Sequence, residues 1–129
     1  MKNKYINQLA FEVESWKRIF DFMENETVFM KGRMSQILRE LSDTDLLNHI
    51  EVFQNQFLTQ DKVIRIFRND IDKQSQSLLT DEISPSVILE KLNRQKKLRK
   101  EISLADKEFD RLKMNFYEFF CENLTEDFR

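Results

Sequence analysis

The chain has 129 residues, of which 40% are hydrophobic and 34% charged, with 21 basic and 23 acidic side chains and a net charge of −2. One glycine, one proline, one cysteine and one histidine are too few turn formers for a sandwich or barrel. They also provide too few glycines for a phosphate loop and too few ligands for the usual His/Cys zinc site.

The length suits a single domain, 1–129. The near-neutral balance gives no global pull toward nucleic acid or an anionic membrane. No run of 18 apolar residues is present, so no membrane insertion is expected. Lys2 and Lys4 resemble the basic start of a secretion signal, but Glu12 and Glu14 interrupt any apolar run that would follow. Cys121 has no second cysteine to pair with, which points to a reducing, cytoplasmic setting.

The first predicted helix covers about 6–41. Steps of four and three residues pass through Leu9, Val13, Trp16, Phe20, Met23, Thr27, Met30, Met34, Ile37 and Leu41, nine of them apolar. This is the 3.5-residue repeat of a helix lying along a neighbour. Gly32 falls on the outer face, a place for a bend that does not interrupt the repeat. A break near 25–32 would instead give a four-helix bundle.

The second helix, about 43–79, is expected to start from a cap at Ser42 or Asp43, with Asp45 favourable to the helix dipole. Its seam reads Leu46, Ile50, Phe53, Phe57, Gln60, Ile64, Phe67, Ile71, Gln74 and Leu78. The two glutamines either fix register or lie where packing is loose. Ser84-Pro85 then marks a helix start, a cap followed by proline at the first helical position. The third helix, about 85–124, carries Leu98, Ile102, Ala105, Phe109, Leu112, Phe116 and Phe119, with Ile88 and Leu92 leading in. Met114, Tyr117, Phe120, Cys121 and Leu124 widen its apolar stripe. Short links make antiparallel neighbours. The predicted fold is therefore all-α, an antiparallel up-down-up bundle of three long helices with coiled-coil-like packing. Trp16, Phe53 and Phe109 are expected in its core.

Little in the chain points to catalysis. Glu12 with Glu14, Glu24 with Glu26, and Asp70 with Asp72 are two residues apart and do not share a helix face. His49 lacks the preceding glutamate of a di-iron motif and is expected at the surface or half-buried. Cys121, beside Phe119, Phe120 and Glu122, reads as a packing cysteine. No enzyme activity and no cofactor are expected.

Lys91, Arg94, Lys96, Lys97, Arg99 and Lys100 place six positive charges within ten residues. Such a run wraps several faces of a helix. Phosphate contact with nucleic acid is one reading; pairing with acids such as Glu12, Glu14, Asp21, Glu24 and Glu26 is the other. Stacking aromatics are missing from the run, so nucleic-acid binding ranks low. Phe11, Phe22 and Phe29 lie outside the first helix's seam and suggest self-association, most simply as a homodimer.

Glu51-Val52-Phe53-Gln54-Asn55-Gln56-Phe57, with Asp70-Ile71 after it and Glu12 and Trp16 before it, resembles a group of short, uncharacterised helical-bundle proteins of Bacteroidota-type bacteria. The resemblance covers about half the chain. It implies histidines beside some of these acids and hence a metal site. The matching places here hold Val13, Val52 and Asn69, leaving Glu12, Glu51 and Asp70 as candidate ligands. The leading expectation is a non-enzymatic interaction or scaffold protein with an unidentified protein partner. A carboxylate-lined bundle binding a divalent metal and a nucleic-acid binder are the alternatives.

Overall fold

The computed structural model describes residues 4–40, 44–80 and 84–124. They form three helices, α1 (Lys4–Glu40), α2 (Thr44–Ser77) and α3 (Pro85–Leu124), and no strand among the described residues. At 1.5 Å per residue they are about 50 to 60 Å long. α1 runs unbroken through Gly32, with no positive φ there. The four-helix alternative is thereby excluded: the continuous apolar repeat outweighs the roughly 1 kcal/mol cost of a glycine. Ser84 stands just before α3, and its carbonyl accepts from Ile88 N at 3.1 Å, as a cap before a first-turn proline should. The expected caps Ser42 and Asp43 lie outside the described residues.

Side-chain pairs give the topology. Lys17 meets Ser75, Arg68 meets Asp21 and Glu24, and Lys31 meets Asp61. Each step up α1 thus matches a step down α2. Phe53 meets Phe116 while Gln74 meets Gln95, so α2 and α3 are antiparallel too. Glu12 pairs with Arg99 and Glu26 with Lys113, which makes α1 and α3 parallel. The bundle is up-down-up, and all three pairs of helices touch.

Burial is uneven among the helices. In α1 every described seam position is buried, from Ile6 to Ile37. Thr27 is included because its hydroxyl donates to Met23 O at 2.7 Å, which satisfies a group otherwise costly to bury. Along α2 full burial recurs every seven residues, at Ile50, Phe57, Ile64 and Ile71, and continues to Leu78 just past its end, with Gln74 also buried. Phe53, Gln60 and Phe67 between them are half-buried. α1 thus turns a fully buried face to the inside of the bundle, whereas the inner face of α2 is buried only in part. Trp16 and Phe109 are core residues as expected, at 5% and 2% exposure. Phe53 is not fully so: it packs on Phe57, Phe116 and Phe119 but is only half-buried.

The α3 seam is displaced from its expected start. Leu92 is 37% exposed, whereas Lys91 and Gln95 are buried at 6% and 0%. The three-and-four stepping runs back from Leu98 through Gln95, Lys91 and Ile88 without a skip. Polar residues occupy buried positions there, and the nearby leucine points outward.

Candidate functional site

The end of the bundle formed by the start of α1, the end of α2 and the start of α3 holds a polar network. Gln74 Nε2 donates to Lys91 O at 3.1 Å and to Gln95 Oε1 at 3.0 Å. Gln95 Nε2 donates to Leu9 O and to Glu12 Oε1, both at 2.9 Å. Arg99 closes the chain with two 2.7 Å bonds from Nε and Nη2 to the Glu12 carboxylate. One path of hydrogen bonds therefore crosses all three helices. The Arg99 guanidinium holds Glu12 below the usual carboxylate value, against an opposing effect of burial and with further help from Gln95. Lys91, though buried, reaches Thr80 Oγ1 with its ammonium at 2.7 Å. Gln74 Oε1 accepts no hydrogen bond from the described residues.

The opposite end is aromatic. Phe116, fully buried, touches Phe53, Phe57, Tyr117 and Phe120, with ring centroids 5.4 to 6.3 Å apart. Outside this cluster, over the α1–α3 groove, cations lie on aromatic faces. Lys113 Nζ sits 4.9 Å from the Phe22 ring centre. The Arg33 guanidinium lies 4.9 Å from Phe29 and 5.9 Å from Phe120. Burial, together with nearby Glu26, pushes the Tyr117 hydroxyl up. Phe22 and Phe29 remain 50% and 51% exposed, and Phe11, further down the same helix, 74%. At 100° per residue these three side chains point within about 20° of one another. The third helix therefore borders this stripe without covering it.

The remaining sequence candidates disperse. The basic run is not one patch. Lys91 is inside, Arg99 is held by Glu12, and Arg94 and Lys97 line a groove of about 230 Å³ with Asp70, Lys73 and Glu101. Lys96 and Lys100 are exposed. Of the acids proposed to pair with the run, only Glu12 meets one of its members; Glu14 pairs with Lys17, Asp21 and Glu24 with Arg68, and Glu26 with Lys113. Glu12, Glu51 and Asp70 are not brought together, and no group of three His, Cys, Asp or Glu side chains converges among the described residues. Glu51 is exposed, and it stands 19 positions from Asp70 on one helix, about 28 Å.

His49 is exposed, its ring 5.9 Å from Phe119. Cys121 is exposed and does not pack in the core. Met114 is likewise 66% exposed, whereas Tyr117 and Phe120 pack against the core as expected. The two α2 glutamines differ in their surroundings. Gln74 enters the polar network, and Gln60 lines an α2–α3 groove of about 420 Å³ beside Glu108, Arg111 and Asn115.

Sequence reasoning missed the buried Lys91 and Gln95. The available signal was the unbroken stepping itself, which places both on the seam whatever their polarity. No helix among the described residues is long and apolar enough to cross a membrane. No protein-family model, no curated protein and no solved structure matches the chain.

Proposed function

We propose that the chain is a non-enzymatic, cytoplasmic interaction module, a rod with coiled-coil-like packing that works through its outer faces and self-associates as a homodimer. The observation that carries this reading is the stripe of Phe11, Phe22 and Phe29, all half-exposed or more, on a helix whose inner face is already filled. Phenylalanine buries roughly 150–250 Å², so each half-exposed ring leaves about 100 Å² in water. At about 25 cal/mol per Å², covering Phe22 and Phe29 on two protomers contributes about 10 kcal/mol. Association costs about 4–15 kcal/mol. The surplus is at most about 6 kcal/mol, which corresponds to a dimer no tighter than tens of micromolar.

The test is the double substitution Phe22→Glu with Phe29→Glu. Neither ring belongs to the buried core, so the variant should keep its helix content and melting temperature while losing self-association. Unfolding of the variant would assign both rings to core support and remove the basis of this reading.

A further inference from the structure

We propose that α1 pairs with α1 of a second copy, antiparallel, about a two-fold axis that passes between Phe29 and Gly32. The proposal rests on the self-association argued above and specifies its register. Phe22, Asn25, Phe29, Gly32, Gln36 and Arg39 form one stripe on the outer side of α1, spaced three and four apart, over about 26 Å. Within the protomer nothing requires the glycine. Its φ is ordinary, and a Cβ placed there meets no atom within 4 Å. A glycine inside a long helix weakens it, and close approach of another chain is what a missing side chain permits.

The stripe is complementary to its own reverse. Around an axis between positions 29 and 32, Phe29 drops into the hollow at the partner's Gly32. Asn25 falls beside the partner's Gln36, amide to amide. Phe22 falls under the partner's Arg39, a ring beneath a cation. Along the edge of the stripe toward α3, Glu26 lies two positions, about 3 Å along the axis, from the level of the partner's Arg33. Two-fold symmetry repeats every one of these pairs. The competing register, Phe22 against the partner's Phe29, brings Arg18 level with the partner's Arg33, like charge against like. Phe11 lies outside the favoured register, because its counterpart would fall beyond the end of α1.

Gly32→Gln is the informative substitution. It fills the hollow without adding apolar surface, and the open space around Gly32 means the protomer tolerates it. Sedimentation equilibrium should show a dissociation constant raised by about ten-fold or more, with helix content unchanged or higher. In a Cys121→Ser background, Asn25→Cys with Gln36→Cys should oxidise to a covalent dimer. Asn25→Cys alone should not, its two copies standing about 16 Å apart along the axis. If the unsubstituted chain is monomeric at tens of micromolar, self-association itself fails. If it dimerises and Phe22→Glu with Phe29→Glu abolishes this, while Gly32→Gln changes nothing and the cysteine pair does not cross-link, the register is wrong and self-association stands.

Discussion

The two ends of the rod are held together by different means. At one end Phe116, Phe57, Phe53 and Phe120 pack ring against ring, and the attraction has little directional content. At the other end, buried seam positions are held by Gln74, Gln95 and Lys91, whose hydrogen bonds are satisfied only at one offset of the helices. Aromatic packing supplies free energy and tolerates sliding by a turn. The polar network adds little net stability, since folding exchanges bonds to water for bonds to protein, but a slip of one turn leaves buried amides unpaired. In long, uniform helices whose seams repeat every seven residues, sliding is the main competing arrangement. The network excludes it.

The largest expected effect breaks the aromatic end. Phe116→Ala should cost about 3–5 kcal/mol in denaturant unfolding, because a fully buried ring is removed from among four others. At the polar end, Gln95→Ala should cost about 1–3 kcal/mol, chiefly by leaving one N–H of the buried Gln74 amide without an acceptor. Replacing both partners, Gln74→Leu with Gln95→Leu, sharpens the contrast. The double variant should be as stable as the unsubstituted chain or more so, since Gln74 Oε1 is already unpaired. Its amide resonances should broaden or double as neighbouring registers become populated. Gly32→Ala belongs to neither end and should add about 1 kcal/mol, read as a higher melting temperature.

The smallest effect is acid dependence at the polar end. The folded value of Glu12 is depressed by Arg99. Its contribution is therefore complete above the ordinary glutamate value, about 4.3, and is lost as pH falls through the depressed one. The melting temperature of the unsubstituted chain should fall more steeply below that value than that of Glu12→Gln.

The fold was legible because the pattern that determines it is one-dimensional. Leu9 through Ile37 repeat at three and four, and Ser84-Pro85 punctuates the chain. The exposed phenylalanine stripe was legible for the same reason: Phe11, Phe22 and Phe29 fall outside the seam by simple counting, and they are exposed. The polar network was not legible. Which side chain meets Gln95 depends on the offset between α1 and α3, and no single helix carries that offset. In α3 apolar character alone points to Leu92, whereas Lys91 and Gln95 occupy the buried seam. Cys121 and Met114 read as part of a widened apolar stripe, but at 100° per residue they stand about 140° and 160° round α3 from Phe116 and face outward.

The most direct test of the account is the mass of the unsubstituted chain in solution, by sedimentation equilibrium or light scattering at tens of micromolar. The account predicts a reversible species of twice the 15.7 kDa chain mass, dissociating on dilution and returned to the single-chain mass by Phe22→Glu with Phe29→Glu. A single species of 15.7 kDa at that concentration would contradict it.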